Sequence, residues 1–197
     1  MKMNLLRSII RQFDRWLSRI HHVHEFTSDD EVFMRIQHDR AACDLDLADG
    51  TVPSGSEVIM LHMWNERSPL LSPLGPDLAW ALNTRRLLIT SLKGVARYIQ
   101  QEAALQDIKA VGGITAHILL QGASGGRNML ERLGFQVFPY HRPAGAFGEF
   151  WENFYTYWLM WAYNPHSLRH HKLLSLQRAE FWMSKHKFLN RYGDKSA

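Results

Sequence analysis

The sequence predicts one α+β domain over 1–197: a mixed, mostly antiparallel sheet with helices packed on it and amphipathic helices at both ends. Three observations predict it. Apolar residues recur at three- and four-residue spacing near the start of the chain. Short apolar runs separated by turn signals follow. After these, strand-like and helix-like segments alternate with no repeat or long linker between them. With 197 residues, 46% apolar and 21% charged, the chain has the size and composition of a globular domain, which argues against disorder. Its single cysteine, Cys43, excludes an internal disulfide and a thiolate zinc site.

The first segment, within 1–24, reads as an amphipathic helix. Leu5, Leu6, Ile9, Ile10, Phe13, Trp16, Leu17 and Ile20 form an apolar stripe, and Arg7, Arg11, Arg15 and Arg19 recur every fourth residue beside it. An α/β core over 25–142 comes next. The runs 32–35, continuing through 36–38, and 43–47 read as two short strands, with turns at Asp49-Gly50 and Pro53-Ser54-Gly55-Ser56. A third strand is predicted over 58–63, then a proline-rich loop over 67–76. Asp77 leads into a long helix whose apolar face includes Leu88, Leu92, Val95, Ala96 and Ile99. A buried strand over 108–120 carries Gly112-Gly113, a mark of a bulge or a close backbone approach. A short helix over 127–133 ends at Gly134, placed as a C-cap, before a strand over 135–139. Aromatic and basic helices are predicted over 147–193: one over 147–163, where nine of seventeen residues are aromatic, and a last one over 173–189.

Charge is unevenly spread. Residues 1–24 carry five Lys/Arg against Asp14; 166–197 carry seven against Glu180 and Asp194; 25–165 carry eleven against sixteen acids. Two basic ends thus flank an acidic body, which points to an anionic partner, a membrane surface or nucleic acid. The plainer alternative is that the basic faces pair with the acidic body. No nucleic-acid motif accompanies the basic ends, so nucleic acid is the weaker expectation. Tryptophans beside cations suit a membrane interface, and the same aromatic segment suits a homodimer contact. No segment has the apolar length of a membrane span, and Arg7, Arg11 and Arg15 interrupt any signal-peptide core. A cytoplasmic location, possible also at the periphery of the inner membrane, is the expectation.

The candidate chemistry lies at the end of the 58–63 strand. His62 and Glu66, four residues apart, suit an acid–base pair, with Asn65 orienting a substrate. They are expected to emerge together into an open hollow at the rim of the sheet. The alternative is that His62 hydrogen-bonds a loop carbonyl and Glu66 pairs with Arg67 or Arg35. Thr115 and His117 alternate on one strand face, expected beside His62, as substrate-binding residues. The turn 122–126 opens a helix whose N-terminus, with Arg127, suits an anion. It is neither a Walker loop nor a dinucleotide fingerprint. The histidines at 21, 22, 24, 166, 170 and 171 lack the converging set that a metal needs, so no metal and no cofactor are expected. No nucleophile is visible, since Gly-x-Ser-x-Gly is absent.

Several blocks fall in the order of a known family. Asp49-Gly50-Thr51, Leu61-His62-x-x-Asn65-Glu66, Gly113-Ile114-Thr115, Arg132-Leu133-Gly134-Phe135, Trp182-Met183-Ser184 and Arg191-Tyr192-Gly193 resemble the YkoP-like domain over about 13–193. That family occurs alone or attached to polysaccharide deacetylases. The resemblance therefore implies a bacterial cell-envelope polysaccharide or glycoconjugate setting and a glycan partner, by association. The element order is also similar to the second half of GNAT-type acyltransferases, with Glu131-Arg132-Leu133-Gly134-Phe135 entering a late strand. In that family a Gly-rich turn cradles the CoA pyrophosphate. Here the corresponding connection, 67–76, holds Pro69, Pro73 and Pro76 with Gly75 alone, and proline removes the N–H donors of such a cradle.

Overall fold

A computed structural model describes residues 2–63, 66–116, 125–140, 145–168 and 178–194. The elements are α1 (Lys2–Ile20), β1 (Met34–Arg40), β2 (Leu45–Leu47), β3 (Gly50–Val52), β4 (Glu57–Met63), α2 (Leu78–Gln101), β5 (Ala110–Ala116), α3 (Gly125–Arg132), β6 (Gln136–Pro139), α4 (Gly145–Tyr163), β7 (Arg178–Ser184) and α5 (Lys185–Tyr192). Five strands form one sheet in the order β1-β4-β5-β7-β6, while β2 and β3 form a separate hairpin. Among the described strands of this sheet only β4 and β5 run parallel; the other neighbours are antiparallel. The predicted α+β class with a mixed, mostly antiparallel sheet is the class observed.

Side-chain parity divides this sheet into two faces. On one, Ile36, Ile59, Leu61, Val111, Phe181 and Met183 meet Leu92, Val95 and Ile99 of α2, Leu130 of α3 and Phe188 of α5 in the main core. On the other, Val58, Ala110 and Trp182 are covered by Leu45, Leu47 and Val52 of the hairpin. The rest of that second face approaches the α1–α4 pair, because Arg35 of β1 reaches Ser18 of α1 and Arg178 of β7 reaches Thr156 of α4.

Local chemistry sets the element ends. Asp77 caps α2 by accepting from the Trp80 N–H at 2.7 Å. Gly134, at φ 95°, closes α3 as predicted: its N–H donates to Glu131 and that of Phe135 to Leu130, a Schellman pattern. The Gly112-Gly113 pair marks a close approach. A Cβ on Gly112 would overlap the Trp182 indole and the Phe181 carbonyl, and one on Gly113 would sit 2.8 Å from the Leu61 carbonyl.

Two expectations fail. The run 43–47 does not join the main sheet; its last three residues pair with Gly50–Val52 across the Asp49-Gly50 turn. The helix predicted over 173–189 is, where described, the strand β7 followed by α5. Ala179, Glu180, Phe181, Trp182 and Met183 are all buried, since this strand lies inside the sheet with both faces covered. It therefore shows no alternation, and an apolar run of that kind cannot be told from a buried helix by period. Ser184 ends the strand and caps α5, accepting from the Lys187 N–H.

Candidate functional site: a polar hollow and an apolar, cationic helix face

His62 sits opposite Arg35 in the β1–β4 register, with Gln37 on the same face. Its Nε2 is 2.9 Å from Gln37 Oε1. Burial pushes the imidazole pKa down to about 4, helped by His21 and Arg35 and opposed by Asp39. At neutral pH the ring is uncharged and engaged with an amide.

Glu66 belongs elsewhere. Arg35, 7% exposed, stands between two carboxylates, 3.7 Å from Glu25 and 3.6 Å from Glu66, and reaches Ser18 Oγ at 3.5 Å. These groups wall a hollow of about 450 Å³ completed by Arg15 and Arg19 of α1. Its wall includes Glu66 but not His62. The expected acid–base couple is thus not assembled: the ring is tied to Gln37 and the carboxylate faces a guanidinium. Helical spacing does not apply, because β4 ends at Met63.

The other candidates are dispersed. Asn65 and His117 lie outside the described residues. Thr115 is in register with Ala179, on the sheet face opposite to His62, because the His62 face of β5 carries Ala110 and Gly112. The expected adjacency to His62 is therefore corrected by strand parity. Arg127 donates to Glu131 at 2.8 Å across one turn of α3, on the surface. Among the described residues no group of three metal-ligating side chains could hold an ion.

Sequence reasoning singled out the arginine face of α1 and offered Arg35 as an alternative partner of Glu66, which it is, but missed Glu25 and the hollow that these groups wall together. The available signal was Arg35 itself, a charge inside the apolar run Val32–Phe33–Met34–Arg35–Ile36. A strand buried on one face must send such a residue to the other.

A second surface lies along α1 and α4. The two helices are joined by Ile10 packing with Ala162 and Tyr163, Arg11 over the Tyr163 ring, and Tyr155 donating to Asp14. Ile9, Phe13, Trp16 and Ile20 nevertheless stand 41–53% exposed in a 4-3-4 spacing, with Phe150 and Trp151 of α4 similarly exposed. The contacts of Ile10 with 162–163 and of Asp14 with 155 make the helices antiparallel, which brings Trp151 level with the last turns of α1. Asp14 is buried, so the exposed charge of the described part of α1 is wholly cationic.

The basic residues of α5 do not join that face, whereas Arg178 of β7 does reach Thr156 of α4. α5 packs against α2 on the other side of the sheet. Its cations are committed: Lys185 to the Leu105 and Gln106 carbonyls, Lys187 to Asp49, and Arg191 to the Arg132 carbonyl. Arg169 and Lys172 lie outside the described residues. No described helix is long and apolar enough to cross a membrane.

Fold and surfaces together define an α+β domain with a guanidinium-rich hollow beside its edge strand and an apolar, cationic helix pair over one sheet face. The chain belongs to the YkoP domain family, whose model matches residues 3–192. No curated protein and no solved structure matches it.

Proposed function

We propose that this chain is an accessory domain that docks on anionic membrane surfaces through α1 and the start of α4, serving envelope polysaccharide or glycoconjugate metabolism from the cytoplasmic face. The observation that carries the docking is the exposed stripe Ile9, Phe13, Trp16 and Ile20 on a helix whose described exposed charges, Arg11, Arg15 and Arg19, are all cationic. Apolar and aromatic groups enter the headgroup region while adjacent guanidiniums meet lipid phosphates. The envelope setting rests on what is known of the family.

Flotation with phosphatidylglycerol–phosphatidylcholine vesicles tests it. Co-flotation at low salt, lost on pure phosphatidylcholine and in W16S/I20S, supports docking; equal recovery of wild type and W16S/I20S with the lipid overturns it. Self-association is the competing use of the same face, although arginines on both copies would repel. A dimer mass in light scattering that W16S/I20S abolishes, together with no flotation, assigns the face to a homodimer instead.

One observation favours a second reading, an acyltransferase. β4 and β5 are in parallel register only over Val58–Met60 with Ala110–Gly112, and both strands run on past that point, although the Leu61 carbonyl still lies close beside Gly113. The bond from His62 to Gln37 and the prolines of 67–76 count against it. Calorimetric titration with acetyl-CoA decides: no heat at millimolar ligand removes this reading.

A further inference from the structure

We infer that the hollow between α1 and the β1 edge is a binding site for a small phosphomonoester that carries hydroxyl groups. Its two walls differ in kind. On the β1 side, Arg35 is already neutralised between Glu25 and Glu66. On the α1 side, Arg15 and Arg19 make no ion pair with any described residue, and both line the cavity. Residues one helical turn apart are neighbours on one face, so two guanidiniums are offered to the same ligand. Planar, many-donor guanidiniums grip phosphate oxygens in a fork that a point charge does not reproduce.

The opposite wall adds acceptors. Carboxylate oxygens of Glu25 and Glu66, with the Ser18 hydroxyl on the α1 side, are suited to receive O–H donors set apart from the phosphate, which a polyol phosphate has and inorganic phosphate, whose O–H groups sit on phosphorus itself, lacks. At about 450 Å³ the space falls within the range of small-molecule pockets. Its charged lining excludes an acyl chain or a flat apolar ligand, for which desolvating five charged side chains would have no return.

The walls are preorganised, which limits the entropy lost on binding. The segment carrying Glu25 is held to β1 by reciprocal backbone bonds between His24 and Ile36 of 2.9 and 3.1 Å. The helix carrying Arg15 and Arg19 is anchored by Asp14 and Tyr155 at 2.6 Å.

Isothermal titration of the full chain with glucose 6-phosphate, inorganic phosphate and glucose, without lipid, tests the site. The ester is expected to bind more tightly than phosphate, and glucose not at all. R15Q/R19Q should weaken the ester by about tenfold or more, the loss of charge-assisted hydrogen bonds. R11Q, whose guanidinium lies over Tyr163 outside the cavity, should not. Circular dichroism confirms that each variant is folded. No heat with the ester at millimolar concentration, unchanged affinity in R15Q/R19Q, or phosphate binding as tightly as the ester each overturns the proposal. Vesicle binding is read separately through Trp16 and Ile20, so neither outcome decides the other.

Discussion

Tyr155 of α4 donates a 2.6 Å hydrogen bond to Asp14 of α1, two residues 141 positions apart in the chain. It joins the helix that displays the apolar stripe to the aromatic helix beneath it. Burial, and then the Asp14 carboxylate, hold the phenol well above its ordinary pKa. Because the folded state prefers the neutral phenol, this contribution is complete below pH 10 and is lost as pH rises beyond it.

Tyr155→Phe removes the bond and leaves a carboxylate buried in the α1–α4 seam. A hydrogen bond to a charged group contributes about 1.5–3 kcal/mol, so urea unfolding should show a loss of about 2 kcal/mol. Asp14→Asn, which retains an acceptor, should cost less. Equal stability of Tyr155→Phe and wild type would show that the helix pair is held by its apolar contacts alone.

His62 gives the acid limb of stability. Its folded pKa, pushed down to about 4 from 6.5, means that the unfolded chain binds the proton more readily. Its contribution is therefore present above pH 6.5 and disappears as pH falls through 4, by at most about 3 kcal/mol. His62→Gln keeps a hydrogen-bonding group opposite Gln37 but does not titrate. Unfolding midpoints measured between pH 7 and 4 should fall less steeply in that variant, and parallel slopes would place the acid sensitivity in other groups.

The sheet scaffold was readable where one face is buried and the other is not, or where a cap marks an end. Asp77 and Gly134 did mark the helix ends, and the 58–63 run is β4 within a residue. What could not be read was β7. Covered on both faces, it has the same apolar run as a buried helix, and only its neighbours in three dimensions distinguish the two. His62 and Glu66 have different partners for a related reason. His62 and Glu66 look adjacent in sequence, yet one is fixed by a cross-strand partner, Gln37, and the other by Arg35, 31 positions earlier. Cross-strand partners depend on register, and register is set by the whole sheet.

Gly112 is constrained by the strand beside it rather than by its own backbone angles. With Trp182 opposite it in register, the indole occupies the space of a side chain at 112, and a Cβ would also strike the Phe181 carbonyl. Gly112→Ala should destabilise by about 3 kcal/mol, the upper part of the range for overpacking. For a chain of this size that is about 6–12 °C in melting temperature. The matched change Gly55→Ala probes φ strain without a clash, since nothing stands within 4 Å of its Cβ at φ 82°; it should cost less. Similar losses at both positions would mean that the β5–β7 contact is looser than described.

Lys185 separates structural cations from docking ones. Its ammonium donates to the Leu105 carbonyl at 3.2 Å and the Gln106 carbonyl at 2.6 Å, fastening the start of α5 to the turn after α2. Burial, then Lys109, lowers its pKa, with Asp107 opposing. Lys185→Met keeps most of the stem and removes both bonds, so it should cost about 2 kcal/mol while leaving vesicle flotation unchanged. Arg11→Gln, which lies outside the hollow and gives up only the contact over the Tyr163 ring, should do the reverse: stability within about 1 kcal/mol of wild type, with flotation reduced and the salt dependence flattened. Both measurements use the same preparations. If Lys185→Met impaired flotation as much as the α1 change did, α5 and α1 would act as one surface despite lying on opposite sides of the sheet, and docking through α1 and the start of α4 would be wrong.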